Sequence, residues 1–180
     1  KYVLLFSDKM LLKMGALRIL ERYIERHKPE CITWDLDSFY DKPKLFYSYN
    51  TAQEIEVISS KELLKDILSS DLLAYDRAPF HCNSCISSDV LSRIKSRNQR
   101  ICMQLNPDYT MSYQCVLNSQ YIHKINTSLS ILRFPDFKES YGNGNSFMKK
   151  GEQAKSFMDD NADWILRVGE LEDIPLKGNK

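Results

Sequence analysis

Glycine is scarce where nucleotide loops need it. Gly15 is the only glycine before Gly142, so neither GxGxxG nor GxxxxGK[ST] occurs and the dinucleotide and P-loop classes are excluded. No G-x-S-x-G elbow supports a serine hydrolase. Long apolar runs are also missing: none reaches the roughly 18 residues of a membrane span. Residues 3–6 (VLLF) are too short for the apolar region of a signal peptide, and Asp8 and Lys9 end them. No sign of charge dominates, with 25 Lys+Arg against 24 Asp+Glu and a net charge of +1. That balance speaks against nucleic acid or an anionic membrane as the main partner. The three histidines (His27, His81, His123) lack metal-ligand spacing, so no metal site is expected. The five cysteines are an odd number, and 180 residues can bury a core without disulfide staples. They read as reduced thiols, which implies a cytoplasmic location. The chain starts with Lys1, not Met, and is expected to be a processed or excised piece of something longer.

What is present is an α/β pattern. Residues 2–6 (YVLLF) read as a buried strand. Residues 10–27 carry Leu12, Ala16, Ile19, Leu20, Tyr23 and Ile24 at helical spacing, and Pro29 stops the helix. Residues 31–34 (CITW) form a second strand that ends in Asp35-Leu36-Asp37. A crossover of this length implies parallel pairing. Residues 44–49 and 54–58 (KLFYSY, EIEVI) suggest a β hairpin. A short helix over 61–68, a strand over 71–75, a helix over 87–97, a strand over 100–105 and a helix over 113–125 follow. A strand over 130–134 ends at Pro135. The expected fold is a Rossmann-like, mainly parallel sheet flanked by helices, with a hairpin insertion near 44–58. Residues 1–137 form the α/β domain. Residues 138–180 are expected to be a loop plus a helical or strand extension, or the start of a second domain.

Chemistry concentrates after the 71–75 strand, because ligands of α/β proteins bind beyond the carboxyl ends of strands. Asp76-Arg77-Ala78-Pro79 places an arginine there that can fork onto a carboxylate or phosphate. Cys82-Asn83-Ser84-Cys85 is a CxxC ahead of a helix, where a first thiol gains thiolate character. A zinc reading would need Cys102, Cys115 or His81 as further ligands, and their gaps form no second CxxC. The ordinary alternative is two small cysteines in a loop. Asp35-Leu36-Asp37 is similar to the DxD nucleophile motif of haloacid-dehalogenase phosphatases, yet it follows the second strand where that family uses the first. Its ordinary alternative is a solvated strand end. Asn126-Thr127-Ser128 matches a glycosylation sequon, a short pattern that arises often by chance.

Taken as a series, YVLLFSD, the first helix, ITWDLDSF, KLFYSY…EIEVI, KELLKDI, DLLAYDRAP, RICMQLN and LRFPDF resemble the N-terminal, pre-ATP-grasp domain of ATP-grasp ligases of the ribosomal-peptide-modifying type. The resemblance implies the substrate-binding part of an ATP-dependent carboxylate–amine ligase. It places Asp8, Asp35, Asp37, Asp76 and Arg77 toward a small-molecule or peptide substrate. It implies ATP and Mg²⁺ as cofactors, with their binding residues outside this chain. The family's helix lysine falls near Asn118, with Lys124 the nearest substitute. Three alternatives stay open. SDKMLLKMGALRILERYIERHKPECITWDLD is similar to the opening of two-domain nucleotide-sugar glycosyltransferases, whose Gly-Ala-x-Arg helix start faces the acceptor. The strand–CxxC–helix–strand order resembles the core of thioredoxins, with Cys82 and Cys85 as the redox pair. A non-catalytic binding or scaffold domain is the fourth reading.

Overall fold

A computed structural model describes residues 1–5, 9–48, 50–69, 74, 76–80, 83–98, 101 and 107–134. The chain divides into two compact units, Lys1–Met103 with Pro107–Ser140, and Gln104–Asn106 with Tyr141–Lys180. Every described residue belongs to the first. The expected 138–180 extension and the expected 71–75 and 100–105 strands lie outside the described residues, apart from Ala74, which is buried, and Ile101.

In chain order the described elements are β1 (Tyr2–Leu4), β2 (Met10–Leu12), α1 (Ala16–His27), β3 (Cys31–Tyr40), β4 (Leu45–Tyr47) and β5 (Asn50–Ser59). They continue with α2 (Ser60–Leu68), β6 (Ser84–Ser87), α3 (Ser88–Asn98), α4 (Pro107–Asn118) and β7 (Tyr121–Phe134). The protein is mixed α/β, with seven strands in one mixed sheet and four helices among the described residues.

The main path of the sheet is β1-β6-β3-β7-β2. Its two long central strands change neighbours part-way along. β3 borders β6 through Cys31–Thr33 and then β4 through Ser38–Tyr40. β7 borders β5 near its start and β2 through Ser130–Leu132. Only β3 with β7 is parallel; the other described pairings are antiparallel. This corrects the expectation of a mainly parallel, Rossmann-like sheet. Helical crossovers alone would have set parallel neighbours, but β4 and β6 on β3, and β2 and β5 on β7, pair from the opposite direction.

Two further expectations change for related reasons. Met10–Leu12 has helical spacing with α1, yet it is a strand, because its backbone pairs with β7. Gly15, with φ +84°, then separates strand from helix in a left-handed conformation that glycine adopts without a Cβ penalty. The expected 44–58 hairpin is instead split: β4 pairs β3 and β5 pairs β7. The 113–125 helix ends at Asn118, and the residues from Tyr121 onward belong to β7.

The two faces of the sheet bury separate cores. One packs Cys31, Ile86 and Ile122 against Leu63 and Ile67 of α2, Val90 and Ile94 of α3, and Met111 and Cys115 of α4. The other packs Ile32, Trp34, Cys85, Ile125 and Leu129 against Ala16, Leu20 and Tyr23 of α1. Removing these side chains from water is the main driving force for docking the helices, at about 25 cal/mol per Å² of apolar surface.

Candidate functional site

The polar centre of the molecule is the stretch Trp34–Asp37 of β3. The parallel register with β7 slips twice there, between Trp34 and Asp35 and between Asp35 and Leu36. Such irregularities re-aim side chains and often border functional sites. Here they let two aspartates, two residues apart, meet lysines from two different elements. Asp35 Oδ1 lies 3.2 Å from Lys124 Nζ on β7, and both side chains are largely buried. Asp37 Oδ2 pairs with Lys13 Nζ from the turn between β2 and α1. The Asp37 side chain is 1% exposed and that of Lys13 32%, so solvent reaches this pair only from the lysine side.

The surrounding hydrogen bonds hold these groups in place. The Lys13 N–H donates to Leu129 O at 2.9 Å, and the Lys13 carbonyl accepts from Ala16 N–H at 3.0 Å. The Asp37 N–H donates to Ser128 Oγ at 2.9 Å, and Ser128 Oγ donates to the Ser130 carbonyl at 2.9 Å. Trp34 Nε1 donates to Ser130 Oγ at 2.8 Å. Beyond the slips, Asp41 takes a forked contact from Arg133, with Nη2 to Oδ2 at 2.7 Å. The Arg133 hydrogen bonds hold the Asp41 carboxyl below its ordinary range.

The sequence-derived candidates distribute as follows. Asp35 and Asp37 do meet basic partners, but within a strand and not on a strand-end turn: β3 continues to Tyr40 because β4 and β7 pair with it there. Lys124 joins Asp35, from a strand and not from a helix. Arg77 turns onto α2 and β5, with Nη2 2.9 Å from Asp66 Oδ2 and Nη1 3.9 Å from Glu56 Oε1. Asp76 is exposed. Asp8, His81, Cys82 and Cys102 lie outside the described residues. Cys85 lies in β6, between β1 and β3, and not at a helix start. Cys115 belongs to the core on the other face of the sheet. Among the described residues no group of three or more His, Cys, Asp or Glu could hold a metal ion.

Lys13 and Ser130 were not singled out from sequence, and Ser128 and Asn83 were noted only inside the 126–128 sequon and the 82–85 CxxC. The ion pairs and hydrogen bonds that give them meaning join residues far apart in the chain.

Cys85 is chemically quiet. It lines a groove of about 570 Å³ between β1 and α1, with Leu4, Leu20 and Ile24. Burial, with a smaller contribution from Cys31, pushes its thiol up to about 11. A redox thiolate needs the opposite shift. At pH 7.5, Cys85 is expected to resist alkylation by iodoacetamide in the folded chain and to react on unfolding. Mass spectrometry of the Cys85 peptide with and without urea checks this.

A second polar cluster ties α1 to β7. The Tyr23 hydroxyl lies 2.7 Å from His123 Nδ1, and the Tyr23 ring also packs against His27, with centroids 4.5 Å apart. Burial, and then the nearby His27, lower the His123 pKa from its ordinary 6.5. Burial raises the Tyr23 pKa above 10.0. Both shifts favour the neutral forms in the fold. The His123 contribution is therefore full above pH 6.5. It declines as pH falls below 6.5, where the unfolded chain takes up the proton first, until folded His123 is protonated too. The Tyr23 contribution declines as pH rises above 10. Urea midpoints at pH 7.5 and 5.5 should show a drop for wild type that is smaller in His123→Phe.

No protein-family model matches the chain, and no curated protein matches it.

Proposed function

We propose that this α/β unit is the substrate-binding part of an ATP-dependent carboxylate–amine ligase, acting on a small molecule or peptide and cytoplasmic. The observation that supports this reading is the double pair Asp35–Lys124 and Asp37–Lys13 on the irregular stretch of β3. A ligase of this class must hold a carboxylate and an amine side by side. Two adjacent carboxylate–ammonium pairs can exchange partners with such a substrate without leaving a net buried charge. Neighbouring strands and the Lys13 turn fix the backbone of all four residues, so little ordering is needed on binding.

ATP and Mg²⁺ belong to the proposed class, but the described residues do not fit them. Among the described residues no group of three or more His, Cys, Asp or Glu suits a metal, and both site lysines already face aspartates. The proposal concerns substrate binding and assigns no residue to either cofactor. Arg77, engaged with Asp66 and Glu56, would contribute by releasing those partners.

Titration calorimetry of the chain with diglycine, and with diglycine acetylated at one end or amidated at the other, tests the reading. Binding of the free dipeptide, weakened at least about tenfold by either block and by Lys124→Ala, is expected; each lost charged contact is worth about 1.5–3 kcal/mol. No binding, or equal binding of the blocked forms, would contradict it. One observation favours a glycosyltransferase acceptor domain instead: Gly15 opens α1 in a left-handed turn two residues after Lys13. Binding of a nucleotide sugar in place of the dipeptide would select that alternative.

A further inference from the structure

Arg77 stands on a fixed base. Its backbone N–H donates to the carbonyl of buried Ala74 at 3.2 Å. The carbonyl of the next residue, Ala78, accepts from Thr33 Oγ1 of β3 at 3.4 Å, and Ala78 and Pro79 are buried. Asp66 of α2 holds one end of the guanidinium, with Nη2 donating to Oδ2 at 2.9 Å. The other end is held loosely. Nη1 lies 3.9 Å from Glu56 Oε1, beyond the length of a hydrogen bond.

Glu56 connects this loose pair to the site on β3. It lies on β5 directly opposite Lys124 of β7, and directly opposed residues of antiparallel strands share one face of the sheet. Lys124 meets Asp35 at 3.2 Å. Asp35, Lys124, Glu56, Arg77 and Asp66 therefore follow one another as a row of alternating charges on one face. Both outer carboxylates have a close cation. Glu56, in the middle, meets its cation only at 3.9 Å. The Glu56 side chain is 45% exposed and that of Arg77 28%, so a ligand reaches both from solvent. A pair this long and this exposed adds little to stability, and a ligand can part it at small cost.

A ligase joins two molecules and needs a place for each. The pairs Asp35–Lys124 and Asp37–Lys13 serve one of them. A zwitterion entering between Arg77 and Glu56 gives its carboxylate to Nη1 and its ammonium to Glu56. One long contact becomes two hydrogen-bonded ion pairs, and the net charge of the row is unchanged. An anion alone would set its carboxylate against Glu56, and a cation alone would set its ammonium against Arg77. Resting on the ligase reading above, we infer that Arg77 and Glu56 form a second substrate subsite, beside the Asp35–Lys124 pair, for a molecule bearing an amine and a carboxylate close together. The ligand class is an amino acid.

The test follows the Arg77 Nε–Hε resonance and the ammonium resonances of Lys13 and Lys124 by NMR in the full 180-residue chain. Three probes are titrated: glycine carries both ends, acetate only the carboxylate and methylammonium only the amine. The inference expects glycine to move the Arg77 signal to saturation, with acetate and methylammonium each at least about tenfold weaker, the worth of one charged hydrogen bond. It also expects Glu56→Gln to weaken glycine at Arg77 about tenfold while the Lys13 response is unchanged. If the lysines respond to glycine and Arg77 stays fixed, the second subsite is overturned and the ligase reading stands. If Arg77 responds and the lysines stay fixed, the ligase reading is overturned and the amino-acid site stands. Acetate that moves Arg77 as strongly as glycine overturns the part given to Glu56. If no probe moves any of these signals, both readings are overturned. The wild-type signals carry the result even if Glu56→Gln fails to fold.

Discussion

Replacing Lys13 with methionine is expected to lower the unfolding free energy by about 3 kcal/mol, measured as a shift of the urea midpoint at constant slope. The Asp37 carboxylate, 1% exposed, loses the ammonium that faces it. Breaking one side of a buried pair costs about 3–5 kcal/mol. Lys13 is one-third exposed, so water can reach the vacated space and the lower end of that range applies. The double variant Lys13→Met, Asp37→Leu should recover most of the loss, since it removes both charges at once. Its backbone keeps the Asp37 N–H bond to Ser128 Oγ. A double variant as unstable as the single one would mean that the aspartate matters to the fold for a reason other than Lys13.

Trp34→Ala should destabilise by about 3–5 kcal/mol. The indole is 1% exposed and packs with Leu20 and Tyr23 of α1 and Ile125 and Leu129 of β7. Its Nε1 also holds Ser130, whose carbonyl accepts from Ser128 Oγ beneath Asp37. Trp34→Phe separates the two effects: it keeps most of the apolar volume and loses the hydrogen bond. A double-mutant cycle of Trp34→Phe with Ser130→Ala should give a coupling of about 1 kcal/mol, and additivity would mean that the bond contributes nothing.

What could be read from the sequence follows from range. α2 and α3 were legible because helical periodicity is local, and Ser60–Leu68 and Ser88–Asn98 carry it in consecutive turns. Met10–Leu12 carries the same period, but ladder bonds to residues 130–132 decide its state, and no local pattern reveals them. The expected 130–134 strand is the end of β7, but its first part was hidden for a related reason. His123, Lys124, Ser128 and Ser130 interrupt its apolar positions because they bond Tyr23, Asp35, Asp37 and Trp34 from other elements. The Asp35-Leu36-Asp37 motif was visible as a charged pair after an apolar run. Its surroundings were not, since Lys13 is 24 residues earlier and Lys124 is 89 residues later than the aspartates they meet. The CxxC drew notice by its spacing and its place ahead of a helix, and the structure puts its second cysteine inside a sheet.

The central claim is that Lys13 and Lys124, with their aspartates, receive a substrate bearing both an amine and a carboxylate. The most direct measurement is the ¹⁵Nζ chemical shift of these two lysines during titration with diglycine. The account predicts that both move together and saturate, and that Asp35→Asn with Asp37→Asn removes the response. Lysine signals that stay fixed while diglycine binds, or that move equally for diglycine blocked at both ends, would contradict it.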